Sequence, residues 1–312
     1  MKLKQIFSRT SLLLLATPFI MTSCDKDDDV VPTPTITETV VASANFSLLK
    51  TAVVRAGLAD YLNNTANLTV FAPTNDAFLA AGLTEAVINS TSVATLQAIL
   101  QYHVLTSKIP SGSVPAGPNA EVTTAGGVKA FVTKNAAGVF INGTNVVTAD
   151  IDASNGVIHA ISAVLIPPAG NIVATAQANP NFTYLVAAVL RADASGTSIS
   201  GALSAAGPLT VFAPTNQAFI DAGFPTIASI NAADPNTLKN ILLYHVVGAR
   251  VFSSDLVNNS TPATAGGGTL LITLTGGAKV KGNGNPSAST ITGVNVVTTN
   301  GVIHVIDRVL LP

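Results

Sequence analysis

The stretch Thr69-Val-Phe-Ala-Pro-Thr-Asn-Asp-Ala-Phe78 decides how this chain of 312 residues is organised, because it returns almost unchanged as Thr210-Val-Phe-Ala-Pro-Thr-Asn-Gln-Ala-Phe219. Three further landmarks recur in the same order. They are Tyr102-His103, Asn155-Gly-Val-Ile-His159 and Leu165-Ile166-Pro167, which return as Tyr244-His245, Asn300-Gly-Val-Ile-His304 and Leu310-Leu311-Pro312. A repeat this long predicts a duplicated domain and not a solenoid of short units. Two domains also agree with a length of roughly 150 residues per domain.

Within each copy the pattern changes from helix to strand along the chain. Asn45 precedes an apolar helical stripe that should end near Gly57, and Asp234-Pro235 is a typical helix start. After the Tyr-His pair, short apolar runs are separated by turn dipeptides such as Asn142-Gly143. In the first copy we expect strands at 68–72, 128–133, 139–141, 146–149 and 156–161. Helices followed by antiparallel strands predict an α+β fold.

The composition excludes several classes of function. Lys and Arg number 15 and Asp and Glu 16, so the chain lacks the basic excess with which proteins neutralise nucleic-acid phosphates. Hydrophobic residues make up 48% and charged residues 10%, which is the profile of a chain that fills two cores and not of a disordered chain. Trp is absent, so a tryptophan platform for sugars is excluded.

The N-terminus predicts an export signal that ends at a lipid attachment site. Lys2, Lys4 and Arg9 precede an uncharged stretch at 10–23, which is shorter than the about 20 residues that span a bilayer. The stretch leads to Cys24, the single cysteine. Met21-Thr-Ser-Cys24 resembles the lipobox of bacterial lipoproteins, although Met21 replaces the aliphatic residue preferred there. An unmodified signal peptide with an incidental cysteine is the alternative.

The residues after Cys24 predict a solvated tether, because an acidic block is followed by Pro32 and Pro34. The block Asp25-Lys-Asp-Asp-Asp29 also resembles the acidic export tag of surface-displayed lipoproteins of Bacteroidetes-type bacteria; a plain hydrophilic spacer is the alternative. We therefore expect a lipid anchor in the outer membrane and domains exposed at the surface. A periplasm-facing or secreted chain is the alternative. The expected divisions are a signal peptide at 1–23, a tether at 24–38, a first domain at 39–168 and a second domain at 169–312.

Taken together and in order, the repeated motifs resemble the fasciclin domain, in two copies that cover residues 36–312. The resemblance implies a wedge-shaped β-sandwich with helices packed on one side. It also implies extracellular proteins that serve adhesion or binding and are generally not enzymes.

The same resemblance suggests residues that contact a partner. In animal adhesion proteins of this family, an Asp-Ile pair before the Asn-Gly segment resembles an integrin-contact motif, and the Tyr-His pair is implicated in adhesion as well. The implied contacts are Tyr102, His103, Asp150, Ile151, Tyr244 and His245. All of them could instead be fold residues, with the aromatic and Ile side chains buried and Asp150 accepting hydrogen bonds at a turn. Counting back from the histidines gives Asn295-Val296 as the second Asp-Ile position, whereas matching the Val-Val-Thr segments leaves no counterpart.

All four histidines lie in the repeated motifs. They could be metal ligands or general bases, but no HxxH or HExxH spacing occurs and each lies in an apolar setting. We therefore interpret His159 and His304, and also His103 and His245, as core residues with hydrogen-bonded rings. No GxSxG elbow is present, and the glycine run at 266–268 lacks the lysine of a P-loop. The sequence predicts no enzymatic activity, no metal and no cofactor.

These observations predict a non-enzymatic surface lipoprotein. It would present two domains to a protein or polysaccharide partner, would contact the membrane through its N-terminal lipid and would not bind nucleic acid. The alternative is a surface lipoprotein that captures a ligand for a nutrient uptake system.

Overall fold

The two copies fold in the same order, helices before most of the strands, and the structure, a computed structural model, describes residues 32–312. The helices of the first copy are α1 Ile36–Ala42, α2 Ser47–Ala56, α3 Ala59–Asn64, α4 Asn75–Ala80, α5 Glu85–Ser90 and α6 Val93–Tyr102. Its strands are β1 Leu68–Pro73, β2 Val104–Leu105, β3 Gly117–Thr123, β4 Lys129–Asn135, β5 Gly138–Ile141, β6 Thr144–Ala153 and β7 Gly156–Ile161. The predicted α+β class is confirmed.

The second copy repeats this arrangement with one strand fewer among the described residues. Its helices are α7 Ile172–Gln177, α8 Thr183–Asp193, α9 Ile199–Ser204, α10 Asn216–Asp221, α11 Ile227–Ala232 and α12 Pro235–Tyr244. Its strands are β8 Leu209–Pro214, β9 Val246–Val247, β10 Leu271–Thr273, β11 Lys279–Lys281, β12 Ser289–Thr298 and β13 Gly301–Ile306. The duplication predicted from the repeated motifs is confirmed.

Each domain contains one curled sheet with helices packed against it. The strand order is β2-β1-β7-β6-β5-β4-β3 in the first domain and β10-β11-β12-β13-β8-β9 in the second. β1 and β7 are parallel, as are β8 and β13, whereas the other pairs are antiparallel. The first strand of each domain, β1 or β8, therefore lies beside the last strand, β7 or β13. In each domain one apolar cluster joins helices to these strands and a second lies within the strand-rich half.

The first domain begins earlier than the sequence indicates. α1 starts at Ile36, and the Thr35 side chain accepts a hydrogen bond from the Glu38 N–H while the Glu38 carboxylate accepts one from the Thr35 N–H. Ile36 and Val40 of this helix are buried. The expected boundary at residue 38 is therefore wrong, because this capping box and the apolar face behind it place residues 36–38 in the domain. The predicted signal peptide, Cys24 and the tether as far as residue 31 lie outside the described residues.

Two predicted helix ends are confirmed and one predicted start is wrong. α2 ends at Ala56 and is capped by Gly57, which has φ 69°. α12 begins after Asp234, whose carboxylate accepts a hydrogen bond from the Thr237 N–H at 2.8 Å. Asn45 does not cap α2, because a 3₁₀ turn at Ala44–Phe46 precedes that helix. No helix within residues 32–312 is long and apolar enough to cross a membrane.

The asparagine of the first repeated motif performs this capping from a distance. Asn75 Oδ1 accepts a hydrogen bond from the Leu48 N–H at 3.0 Å, and Asn75 Nδ2 donates one to the Ala44 carbonyl at 2.8 Å. In the second domain Asn216 makes the same contacts with the Tyr184 N–H and the Pro180 carbonyl. The motif therefore ties the start of α4 or α10 to the start of the long helix α2 or α8.

Candidate functional site

The first Tyr-His pair lies at the end of α6 and points into the core. Tyr102 is 1% exposed and His103 is 2% exposed. The Leu165 N–H donates to His103 Nε2 at 2.9 Å, so the ring proton is on Nδ1, which donates to the Ile99 carbonyl at 2.8 Å. Burial lowers the pKa of His103 to about 4. The neutral ring thus joins the end of α6 to the segment that follows β7.

The second Tyr-His pair repeats this arrangement at the end of α12. His245 Nδ1 donates to the Ile241 carbonyl at 2.8 Å, and the Leu310 N–H donates to His245 Nε2 at 2.8 Å. Burial lowers the pKa of His245 to about 4. The two rings therefore have the same tautomer and the same structural role.

The two buried tyrosines also find partners inside their domains. Tyr102 Oη donates to the Lys129 carbonyl at 3.1 Å and accepts from Asn142 Nδ2 at 2.9 Å. Burial raises the pKa of Tyr102 to about 12. Tyr244 Oη donates to the Thr269 carbonyl at 2.6 Å and accepts from the Asn283 N–H at 3.0 Å. Each phenol thus links the end of a helix to the turns of the strand-rich half.

The histidine of the Asn-Gly-Val-Ile-His motif lies on the last strand of each domain. The Asp150 N–H donates to His159 Nδ1 at 3.2 Å, so His159 Nε2 carries the proton and donates to the Ile109 carbonyl at 2.9 Å. His304 donates to the Val251 carbonyl at 2.9 Å, and burial lowers its pKa. Both rings lie beside a phenylalanine, at centroid distances of 5.5 and 5.6 Å.

The structure decides which residue of the second domain corresponds to Asp150. Asp150 and Asn295 both have positive φ, 57° and 61°, and the N–H of each points at Nδ1 of its own motif histidine. The Asp150 carboxylate accepts hydrogen bonds from the hydroxyl and the N–H of Ser111, which lower its pKa. Asn295 contacts the same two groups of Ser253: its Oδ1 accepts from the Ser253 N–H and its Nδ2 donates to the Ser253 hydroxyl, both at 2.7 Å. Counting back from the histidines is therefore right, and Asn295 is the counterpart.

The burial of the implied contact residues corrects the contact interpretation. Tyr102, His103, Tyr244 and His245 are at most 2% exposed, so no partner can touch them in this conformation. Ile151 is half-buried against the helical core of the first domain. Asp150 is the one exposed member of the set, and its carboxylate already holds Ser111.

The side chains that could ligate a metal ion do not come together in the described part of the chain. Within residues 32–312 no three His, Cys, Asp or Glu side chains come together in a way that could hold a metal ion. Every imidazole uses both of its nitrogens on backbone groups of its own domain. The four histidines therefore act as cross-links between chain segments.

An aromatic contact joins the two domains, and the sequence motifs did not point to it. Phe131 on β4 packs against Phe252 and Val302 of the second domain, with the two phenylalanine ring centroids 6.1 Å apart. The guanidinium carbon of Arg250 lies 4.0 Å from the centroid of the Phe131 ring. Arg250 Nη1 also donates to the Gly301 carbonyl at 3.0 Å. The Phe131 ring is thus enclosed by apolar and cationic groups of the other domain.

Three side-chain hydrogen bonds surround this aromatic contact. Asn119 Nδ2 donates to the Arg250 carbonyl at 2.8 Å, and Thr133 Oγ1 donates to the Asp255 carboxylate at 3.1 Å. Asn135 Nδ2 donates to the Ser254 carbonyl at 3.0 Å. Because these bonds lie on strands β3 and β4, one face of the first sheet is fixed against the second domain. Residues Thr33–Pro312 accordingly form one compact unit.

A groove of about 770 Å³ lies beside this junction, which is within the range of small-ligand sites. It is lined by the β5–β6 turn, the segment at 162–170 that connects the domains, helix α7 and strand β12. Its lining contains no charged side chain; the polar residues are Asn142, Thr144, Asn145, Ser162, Thr175, Ser253 and Asn295. The groove therefore suits an uncharged ligand better than an ion.

Comparisons with known proteins give the same picture of two domains. The fasciclin domain model matches residues 44–167 and 180–312. Protein sll1483 of Synechocystis sp. is 42% identical over 136 residues, which are 43% of this chain and 74% of that protein. Transforming growth factor-beta-induced protein ig-h3 of Sus scrofa is 29% identical over 255 residues, 79% of this chain and 35% of that protein. The chain thus spans about a third of that animal relative. A FAS1 domain pair from the insect cell adhesion molecule fasciclin I has a TM-score of 0.42 and 19% identity, covering 85% of this chain and 96% of that one.

Proposed function

Because the chain belongs to the fasciclin-domain family and carries two copies of the domain, we propose that it is a non-enzymatic binding module that serves adhesion at the cell surface. Fasciclin domains are associated with cell adhesion and binding, and proteins that contain them are generally not enzymes. One observation carries the proposal. Six buried side chains could in principle act as acids, bases or ligands, namely the four histidines and two tyrosines. All six form hydrogen bonds inside their own domains, so they stabilise the scaffold.

The proposed partner is a protein or a polysaccharide outside the cell. The folded part holds few charged groups, and two ion pairs occur among the described residues, Lys108 with Asp152 and Lys129 with Glu121. Recognition would therefore depend on shape and on hydrogen bonds from loops more than on long-range electrostatic attraction. Lipid at Cys24 and the acidic tether would hold the domains at the outer surface of the outer membrane.

Binding can be tested with the chain from residue 25 onward on arrays of matrix proteins, bacterial polysaccharides and glycans, and on whole cells. We expect saturable binding to one class of target. The matched variant is Asp150→Asn, because Asn295 contacts the N–H and the hydroxyl of the equivalent serine, Ser253, without a charge. If Asp150 contacts the partner, this variant binds less tightly while its melting temperature stays close to that of the wild type. Absence of binding to every target would contradict the proposal.

The location can be tested separately from binding. Mass spectrometry of the mature N-terminus should find an acylated Cys24, and protease treatment of intact cells should remove the domains. A Cys24→Ala variant serves as the control and should lose the membrane association. Cleavage elsewhere, or domains that resist protease until the outer membrane is opened, would contradict surface display.

A second candidate function, capture of a ligand for an uptake system, is favoured by the uncharged groove beside the junction. Thermal-shift screens with neutral oligosaccharides and short neutral peptides should then raise the melting temperature. Val294 lines the groove and is 45% exposed, so Val294→Trp should fill the groove and abolish the shift. Val54→Trp is the control, because Val54 on α2 is 62% exposed and does not line the groove. A screen without any shift would contradict ligand capture.

A further inference from the structure

The junction between the domains uses a strand face that exists twice in the chain. Tyr102 and Tyr244 donate to the carbonyls of Lys129 and Thr269, so those two residues are structurally equivalent. Phe131 and Leu271, two residues further along each chain segment, are therefore equivalent as well. Phe131 is 9% exposed because the second domain covers it, whereas Leu271 is 37% exposed.

The polar neighbours of this position are repeated too. Asn119 and Asn259 both have positive φ, 61° and 63°. Ala120, which follows Asn119, lies opposite Val132, and Ser260, which follows Asn259, lies opposite Ile272. Thr273 corresponds to Thr133. We call Asn119, Phe131 and Thr133 the covered strand face, and Asn259, Leu271 and Thr273 the free strand face. The three groups that hold the second domain in place thus recur with similar chemistry on a surface that no residue of the described range 32–312 covers as the second domain covers Phe131.

The face that receives the strand is repeated in the same way. In the second domain it comprises Arg250, Phe252 and Asp255, just after the Tyr-His pair, together with Val302, whose counterpart Val157 in the first domain is 1% exposed. In the first domain Ile109 contacts His159 and Ser111 contacts Asp150. In the second domain Val251 contacts His304 and Ser253 contacts Asn295 in the equivalent positions. The counterparts of the receiving residues are accordingly Lys108, Pro110 and Ser113. In the first domain these three are half-buried or exposed.

We propose that the chain associates with further copies of itself head to tail. The free strand face of one copy docks on Lys108, Pro110 and Ser113 of the next, and so repeats between molecules the contact that joins the domains within one molecule. The two surfaces are different, so each added copy leaves one of each kind uncovered. Such a heterologous contact produces open chains of molecules and not a closed dimer, unless the rotation happens to close a ring.

The charges beside the two faces are complementary. Lys281 is the strand partner of Leu271. Val280 pairs with Ile272 as Ile141 pairs with Val132, so Val280 and Ile141 are equivalent. The next residues along the chain, Lys281 and Asn142, therefore correspond as well. Within the chain, Asn142 lines the junction groove together with Val297. The counterpart of Val297 in the first domain is Asp152. The Asp152 side chain is 79% exposed, and one of its oxygens lies 3.7 Å from Nζ of Lys108, so Lys281 would share this carboxylate with Lys108. The proposed contact therefore brings Lys281 of one copy near Asp152 of the next.

The contact between molecules should be weaker than the one inside the chain. Leu271 replaces Phe131, Pro110 replaces Phe252 and Lys108 replaces Arg250, so less apolar surface is buried and the stacking of a guanidinium on a ring is lost. We therefore expect reversible association that grows with concentration. The inference does not rest on the proposed function, because association is measured on the purified chain alone.

The test is sedimentation velocity of residues 25–312 from micromolar to millimolar concentration. The wild type should form a ladder of species beyond a dimer. Leu271→Asp should lower the association constant by about tenfold or more. Leu79→Asp is the control, because Leu79 is 54% exposed and lies on α4, away from both faces, so its association should equal that of the wild type.

A charge exchange tests the geometry. Lys281→Glu and Asp152→Lys should each weaken association several-fold, whereas an equimolar mixture of the two variants should regain a large part of it through the reversed ion pair. Salt should weaken the association of the wild type. A chain that stays monomeric, a closed dimer, or a Leu271→Asp variant that associates like the wild type would each overturn the proposal. Failure of the mixture to exceed the single variants would overturn the placement of Lys281 near Asp152.

Discussion

Each of the four imidazoles connects two backbone segments that are distant in the sequence. His103 reaches Ile99 in its own helix and Leu165 after the last strand, and His159 reaches Ile109 and Asp150. A buried donor or acceptor that loses its partner costs about 1–3 kcal/mol. The repeated histidines are therefore explained by the stability of the fold, without a catalytic role.

We expect His159→Ala and His304→Ala each to lower the free energy of unfolding of their own domain by about 1–3 kcal/mol. The substitution leaves the Ile109 or Val251 carbonyl without its donor and removes a ring that packs on a phenylalanine. Chemical denaturation followed by circular dichroism measures the change. Asn240→Ala on the exposed side of α12 is the control. Melting curves like the wild type for both histidine variants would contradict the core role.

The protonation of His103 and His245 should make stability depend on pH. Their pKa values are lowered to about 4 in the folded chain from 6.5, so the unfolded chain binds more protons between these values. The stabilisation is complete above pH 6.5 and is lost as the pH falls from 6.5 towards 4, by about 3 kcal/mol for each ring. Nitrogen NMR should find both rings neutral, with the proton on Nδ1, at pH 5.5. Rings that become charged near pH 6.5 in the folded chain would contradict this expectation.

At the scale of elements, the Asn-Gly start of the last strand fixes the parallel strand pair. Asn155 Nδ2 donates to carbonyls at the end of α3, and its Oδ1 accepts from the Ile36 N–H at 2.9 Å. Gly156 pairs with Leu68 across the parallel ladder. A side-chain amide thus holds the first helix, and the absence of a side chain lets two strands approach closely.

We expect Gly156→Ala and Gly301→Ala to destabilise their domains by about 1–3 kcal/mol or more. An added Cβ would lie 2.2 Å from the carbonyl oxygen of Leu68 or Leu209, which is backbone and cannot move away alone. Gly112→Ala and Gly248→Ala are matched controls, because nothing lies within 4 Å of the added atom and neither has positive φ. Thermal unfolding should separate the two pairs of variants. Equal melting temperatures would contradict the close approach.

At the scale of the whole molecule, the junction makes the two domains one unit. An apolar contact of two phenylalanines and a valine is enclosed by side-chain hydrogen bonds from one face of a sheet. A partner outside the cell would therefore meet two domains at a fixed distance and orientation, and a groove would lie between them.

We expect Phe131→Ala and Phe252→Ala to be coupled. Each removes one side of the same ring contact, so the double variant should lose less stability than the sum of the single variants, by about 0.5–3 kcal/mol. Calorimetry should also show the transitions of the two domains moving apart. Leu271→Ala is the control at the equivalent exposed position and should have little effect. Strictly additive losses would contradict direct packing between the rings.

Much of the fold could be predicted from the sequence because it depends on local patterns. The duplication follows from repeated motifs, the end of α2 from Gly57 and the start of α12 from Asp234, since these residues act within one turn of themselves. The burial of the histidines also follows from their apolar neighbours. The Thr35–Glu38 capping box was readable as well, but the acidic and proline-rich residues before it favoured a tether.

Only the tertiary structure decided how distant segments meet. The alternation of a strand predicts which side chains share a face, but it does not say what covers that face. Phe131 and Leu271 occupy the same position in the two sheets, yet one is buried by the other domain and the other is exposed. The sequence by itself determined two copies of one α+β scaffold. Contacts between residues far apart in the chain decide the parallel pairing of β1 with β7, the capping of α2 by Asn75 and the domain junction. The local spacing of apolar residues carries no information about such contacts.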